Sequence, residues 1–313
     1  MDTKLFTSCK DRLISNCSKV IVGKNDTVEQ IIICLIASGH VLLEDLPGTG
    51  KTMLLRSFAK SIGGDFKRIQ FTPDLMPSDL TGINFYNQKK GEFEFRKGPL
   101  FANIVLADEI NRAVPRSQSA LLEVMEEKQL SIDGTTYRLE EPYMVMATQN
   151  PVESYGTFPL PEAQLDRFFM KLSLGYMNRE QEIGILRRKE TVKIIDELEQ
   201  VVSTDEILQM RSTFSQVTVS DEIADYIMQI IEYTRSSSLL VNGVSARGSL
   251  ALYKASQILA ALNGRDFVIP EDVKREAVSV LPHRLMLSGR SHLGNLGFVR
   301  NMLEEIEVPL EQH

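Results

Sequence analysis

A chain of 313 residues with 43% apolar and 25% charged residues has the composition of a globular protein with room for two cores, which excludes fibrous, disulfide-rich and disordered classes. Its formal net charge of −7 disfavours a dedicated duplex nucleic-acid binder, which presents a basic face. The 3 cysteines, Cys9, Cys17 and Cys34, form no CxxC pair and have no histidine at ligand spacing, so they read as small packing residues in a reducing compartment.

The early Asp and Lys and the lack of an apolar run in the first ~20 residues argue against a signal peptide. The most apolar stretch, 28–43, is broken by Glu29, Gln30, Ser38, Gly39 and His40, short of the ~18 uninterrupted apolar residues a membrane span needs. A cytoplasmic protein without stable membrane insertion is expected. A lead-in helix within 1–27 precedes a helix over 28–37 that Gly39 ends. The apolar run Val41 to Leu43 then enters Asp45-Leu46-Pro47-Gly48-Thr49-Gly50-Lys51-Thr52, and Met53 to Ile62 reads as a helix stopped by Gly63-Gly64. Residues 66–71 alternate as a strand. Two alternating segments around Lys89-Lys90-Gly91 predict a hairpin within 85–101. A nearly continuous apolar run, 103–107, predicts a central parallel strand ending in Asp108-Glu109. A helix over 117–128, a hairpin over 130–138 turned by Asp133-Gly134, a strand over 143–147 ending in Thr148-Gln149-Asn150-Pro151 and a strand near 168–174 follow. Beyond Tyr176 the strand signals stop, and helices are predicted over 179–190, 204–214, 221–235, 246–262 and 270–281. The expected organisation is an α/β unit, residues 1–176, carrying a parallel sheet, and an all-helical unit, 177–313.

Strand, Gly-rich loop and helix in that order are the context of a phosphate-binding P-loop. Its amides would cradle phosphate oxygens at the positive end of the helix dipole, Lys51 would reach the β- and γ-phosphates, and the Thr52 hydroxyl would face Mg²⁺. A Gly-rich turn that binds nothing is the plainer reading, and Asp45 stands where such loops usually begin with glycine. Asp108-Glu109 at the end of a buried strand fits a magnesium-holding carboxylate followed by a base that orients the attacking water. A strand-end turn with solvated acids is the alternative. Asn150, at the next strand end, is placed to hold that water or touch the γ-phosphate, although Asn-Pro is also a common turn. Arg167 and Arg247 are guanidinium candidates for charge developing on a transferring phosphoryl group, each with an ion-pair or surface alternative.

The Walker A residues 47–52, the Walker B run Val105-Leu106-Ala107-Asp108-Glu109, and the stretches Ala107-Asp108-Glu109-Ile110-Asn111-Arg112-Ala113, Ala147-Thr148-Gln149-Asn150-Pro151 and Pro159-Leu160-Pro161-Glu162-Ala163-Gln164-Leu165-Asp166-Arg167-Phe168 resemble the MoxR family of AAA+ ATPases over about residues 20–290. The resemblance implies an αβα core with a five-stranded parallel sheet and a helical lid. Residues 85–101 would match the helix-two insert and 130–138 the pre-sensor hairpin. It sets Asn150 at the sensor-1 position, Arg167 at the trans-acting arginine finger and Arg247 at sensor 2. Val22 and Gly23 would line the adenine site, beside Pro47, Gly48, Thr49, Gly50, Lys51, Thr52 and Met53. It further implies ATP and Mg²⁺ as ligands, with Thr52 and Asp108 serving the metal. ATP hydrolysis would take place in a homo-oligomeric ring, expected to be a hexamer, with ATP between core and lid. A partner with a von Willebrand factor A-type domain is implied, as is a chaperone-like task in maturing complexes or inserting a metal. Three departures stand out: Asp45, Lys24 where Gln is common, and Ala246 where Pro is usual beside Arg247. Arg112 and Arg116 are backup interface arginines, while His40 and His283 read as packing residues. A nucleotide-bound scaffold with little turnover and a nucleic-acid motor are the competing function classes.

Overall fold

Val41–Leu43, Ile104–Ala107 and Met144–Ala147 are apolar at nearly every position and fully buried, as strands covered on both faces must be. In the computed structural model, which describes residues 1–44, 49–149, 156–175, 179, 183, 191–288 and 294–309, they form the middle of one sheet. Its strands are β1 (Val41–Glu44), β2 (Phe66–Gln70), β5 (Ile104–Asp108), β8 (Met144–Gln149) and β9 (Met170–Leu172). They lie in the order β2-β5-β8-β1-β9 and every pairing is parallel. Parallel neighbours put all their carboxyl ends on one edge. The register pairs Leu43 with Thr148 and Gln70 with Asp108, so these residues end level.

Alternate side chains divide the core in two. Val41, Leu43, Leu106, Met146 and Met170 face α1 (Thr3–Ser18), α2 (Asn25–Ile36) and α3 (Lys51–Ser61), and that cluster runs on into the helices of the C-terminal half. Leu42, Val105, Ala107 and Val145 face α5 (Pro115–Glu127) together with Leu100 and with Leu80 of the short α4 (Pro77–Thr81). The sheet is therefore sandwiched, and the αβα core that the family resemblance implies is present.

Two antiparallel ribbons leave this core. β3 (Gly82–Asn87) pairs with β4 (Glu92–Lys97), and β6 (Gln129–Ile132) pairs with β7 (Thr135–Arg138). Asp133 and Gly134 both take positive φ, 49° and 80°, the pair of values that a two-residue I′ turn demands and Asp-Gly supplies. The ribbons lean on each other: Phe95 stacks on Tyr137 with ring centroids 4.4 Å apart.

After the short α6 (Glu162–Leu165), the C-terminal helices are α7 (Thr191–Glu197), α8 (Thr204–Thr213), α9 (Asp221–Ser236), α10 (Ala246–Leu262), α11 (Pro270–Val280) and α12 (Asn295–Glu305). The Ser203–Glu206 capping box and Pro270 in the first turn of α11 stand where the sequence signals put them. Most of the helix expected over 179–190 lies outside the described residues. Between α9 and α10, and after α11, short strands Leu240–Asn242 and Met286–Leu287 pair antiparallel. Segments this short carry no readable alternation. Among the described residues no helix is long and apolar enough to cross a membrane.

Candidate functional site

Gly50, with φ 85°, is the N-cap of α3, and a side chain there would be strained in that left-handed conformation. It delivers Lys51 and Thr52 to the positive end of the helix, directly after the β1 edge. Pro47, Gly48 and Asn150, assigned to the site from sequence, lie outside the described residues, and Asp45 does too. Two strands from β1 on the same edge, Asp108 closes β5, and Glu109 follows with φ 58° and ψ 49°. A left-handed glutamate is uncommon and is held here by its surroundings. Thr148, buried at the end of β8, donates its hydroxyl to Asp108 Oδ1 at 2.7 Å and accepts the Glu109 amide at 2.8 Å. One side chain thus fixes both acids.

Asp108 Oδ2 and Glu109 Oε2 are also engaged. Arg68, on β2, donates to Asp108 Oδ2 from Nη2 at 2.6 Å and Nε at 3.2 Å, and from Nη2 to Gln70 Oε1 at 3.0 Å. Gln70 in turn donates to Glu109 Oε2 at 2.7 Å, and Arg112 Nε lies 3.2 Å from the same oxygen. Asp108 already faces a cation, so its carboxylate has the charge and aim a metal ligand needs. Among the described residues no group of three or more His, Cys, Asp or Glu is placed to hold a metal. Magnesium does not require one, since it binds through one or two carboxylates, waters and substrate phosphates. Thr52 and Asp108 fit that mode.

Beside this edge a cleft of about 770 Å³ opens between α2, the ends of β1 and β9, and the C-terminal helices, lined among others by Thr27, Gln30, Glu44, Lys171, Ser279 and Asn295. Its volume lies in the range of small-molecule sites. Val22 and Gly23 lie in the turn between α1 and α2, with Gly23 at φ 73°.

Arg167 and Arg247 sit elsewhere. Arg167 precedes β9, whose entry is tied to that of β1 by the Phe169 amide donating to the His40 carbonyl. Its Nε is 3.3 Å from Glu126 Oε2, and Arg247 Nη2 reaches Glu126 Oε1 at 2.7 Å. Glu126 is at the end of α5, beside Met125, whose carbonyl accepts from His40 Nε2 at 2.9 Å. Both arginines therefore occupy the amino edge of the sheet, and the four residues of β1, about 13 Å of strand, separate that edge from the P-loop. Ser245, the N-cap of α10, donates to Asp166 Oδ2 at 2.9 Å, and Arg284 pairs with Asp166 Oδ1 and donates to the Phe168 carbonyl at 2.7 Å. These links lock Arg247 beside Arg167. His283 Nε2 donates to that same Phe168 carbonyl at 3.0 Å, and burial drives its ring and that of His40, lowered to about 4, to the neutral form. Both histidines are packing residues.

The comparisons agree with this architecture. The family of ATPases associated with various cellular activities (AAA) matches residues 40–170, and the AAA lid domain matches 232–298. Chaperone MoxR1 of Mycobacterium tuberculosis is 42% identical over 287 residues, covering 89% of this chain and 76% of that relative. The chain belongs to the MoxR family of AAA+ ATPases. MoxR of Methylorubrum extorquens is 31% identical over 294 residues, 86% of this chain and 85% of its own. YeaC of Bacillus subtilis, an uncharacterized protein, is 48% identical over 304 residues, 96% of this chain and 95% of its own. A crystal structure of a candidate ATPase from Cytophaga hutchinsonii superposes with TM-score 0.92 at 39% identity, covering 99% of this chain and 97% of that one.

Within this MoxR-family chain, sequence reasoning missed four side chains of the site region: Thr148, Arg68, Gln70 and Glu126. Gln70 occupies the strand position that the parallel register pairs with Asp108, and Thr148 follows Ala147, the register partner of Ala107. For Thr148 the available signal was a polar residue at the end of an otherwise apolar strand.

Proposed function

We propose that this MoxR-family protein binds ATP with Mg²⁺ and hydrolyses it in a ring of identical subunits, with residues 1–176 as the core and 177–313 as the lid. The observation that carries the reading is that α3, whose N-terminus bears Lys51 and Thr52, follows the carboxyl end of β1, while Asp108 and Glu109, locked by Thr148, close β5 on the same edge of the parallel sheet. In this reading the loop amides and Lys51 hold the phosphates, and the base and ribose take the cleft between core and lid. Bound magnesium supplies charge neutralisation on the phosphates, with Thr52 and Asp108 as its protein partners. Glu109 takes the proton of the attacking water and Asn150 orients that water. Val22, Gly23, Pro47, Gly48, Thr49 and Met53 line the nucleotide.

The position of the two arginines supports the ring. Arg167 and Arg247 share Glu126 at the opposite sheet edge from Lys51, so in this reading both serve the γ-phosphate of a neighbouring subunit. Such a head-to-tail contact can close into a ring, and the family resemblance leads us to expect a hexamer. The cytoplasmic setting, the chaperone-like task and a partner with a von Willebrand factor A-type domain rest on the family resemblance. Steady-state ATPase assays of the parent and Glu109→Gln test the enzymatic reading. Loss of turnover with retained nucleotide binding is expected, and equal rates would leave only a nucleotide-organised scaffold.

A further inference from the structure

We propose that Arg68 is a positioning residue of the magnesium site. It holds Asp108 Oδ2 while no metal is bound and yields that oxygen to the arriving cation, and its withdrawal loosens the Gln70 amide that it fixes. The inference rests on the nucleotide-and-magnesium reading above and names a residue which that reading does not use.

The two oxygens of Asp108 are divided between unlike partners. Oδ1 is bound by Thr148, a buried neutral hydroxyl on a central strand, whose other contact is the Glu109 amide. That contact is built into the sheet and survives any event at the surface. Oδ2 is bound from Arg68, whose side chain on the edge strand β2 is 48% exposed, whereas that of Asp108 is 13% exposed. A flexible, half-solvated guanidinium is the member of the pair able to leave. Ion pairs with an exposed partner are weak, so a dication can replace this one without a large opposing term. Two cations cannot crowd one carboxylate oxygen without repulsion, which makes arginine and metal alternatives there.

The coupling to Glu109 follows from the chain of contacts. The same Arg68 Nη2 that reaches Asp108 donates to Gln70 Oε1 at 3.0 Å, which fixes the amide so that its nitrogen points to Glu109 Oε2 at 2.7 Å. Gln70 and Arg68 are two residues apart on one strand and share a face. When Arg68 leaves, Gln70 loses the contact that fixes its amide, which weakens the Gln70 contact on Glu109 Oε2, while Arg112 Nε stays 3.2 Å from that oxygen.

The test is a MgCl₂ titration of N-methylanthraniloyl-ADP binding by the whole protein at constant ionic strength, with an EDTA reference. Arg68→Met keeps the aliphatic length and removes the competitor; Arg68→Lys keeps the charge and loses the two-point contact, and thermal unfolding of both checks the fold. The half-saturating Mg²⁺ concentration is expected to fall about two- to five-fold in Arg68→Met, the size of an ion pair with one exposed partner, and by less in Arg68→Lys. Binding in EDTA is not expected to strengthen. A half-saturating concentration equal to or above the parent's in both variants, with the parent still magnesium-dependent, overturns the proposal and marks Arg68 as a phosphate contact or a bystander. A parent that binds the probe without magnesium dependence, or not at all, removes the nucleotide-and-magnesium reading itself and this inference with it.

Discussion

Thr148→Val is the sharpest perturbation of the site, because valine keeps the shape of threonine and deletes only the hydroxyl. The parent hydroxyl is buried and makes two contacts, donating to Asp108 Oδ1 at 2.7 Å and accepting the Glu109 amide at 2.8 Å. Its loss strands a backbone donor and one carboxylate oxygen, which costs about 1–3 kcal/mol of stability. The larger effect falls on turnover. Glu109 stands in left-handed geometry with its amide tied to Thr148, and a base displaced by about 1 Å costs up to ~100-fold in rate. We therefore expect kcat for ATP to fall roughly 10- to 100-fold. The KM should stay close to the parent's, because the phosphates are held by the loop and α3. Thr148→Ser keeps the hydroxyl and should recover most of kcat, which a merely structural role for the methyl group would not allow. Coupled-enzyme ATPase measurements with urea unfolding separate the two effects. A folded Thr148→Val variant with parental kcat would refute the reasoning.

Other consequences follow from named contacts. Glu109→Gln should lower kcat by about 10²- to 10⁴-fold, the range for a general base, while equilibrium binding of a fluorescent nucleotide persists. Burial pushes the Glu276 carboxyl up from 4.5 to about 8, although the Gln30 amide donates to it at 2.8 Å and Arg275 opposes the shift. The folded state thus holds a proton that the unfolded chain has lost, and stability falls as pH rises through this window, by up to about 1.4 kcal/mol per unit. Glu276→Gln should flatten that slope in urea titrations and be the more stable protein at the alkaline end; an unchanged slope would place the titration elsewhere. Tyr137→Ala removes the ring stacked on Phe95 at 4.4 Å, an aromatic pair contributing about 0.5–1.5 kcal/mol beyond its burial, so amide exchange across 82–97 should speed up while the sheet stays protected.

The parts of the fold legible in the sequence were those set by local periodicity. Apolar runs marked β1, β5 and β8, Asp133-Gly134 marked a hairpin turn, and Ser203–Glu206 marked a helix start, each a short-range pattern. Strand order was not legible from the residues; the family resemblance implied five parallel strands, and their order came from the structure. The acids at the end of β5 were legible because a charged pair closing a buried strand is costly without a partner. Thr148, Gln70 and Arg68 were not, since their roles depend on which strands lie side by side, and Gln70 meets Asp108 only through the β2–β5 register. The shared contact of Arg167 and Arg247 with Glu126 joins three segments distant in sequence, which no spacing rule reveals. The short strands 240–242 and 286–287 carried too few residues for a pattern.

The central claim is that one subunit's acids work with its neighbour's arginines, and mixing two inactive variants tests it most directly. Glu109→Gln lacks the base but keeps Arg167 and Arg247; Arg167→Ala keeps the base and lacks the finger. Neither alone should turn over ATP appreciably. Mixed one to one and allowed to assemble, about a quarter of random head-to-tail contacts unite an intact Glu109 with an intact Arg167, so activity should return to about that fraction of the parent's. A mixture that co-assembles yet stays as inactive as its components would contradict the account.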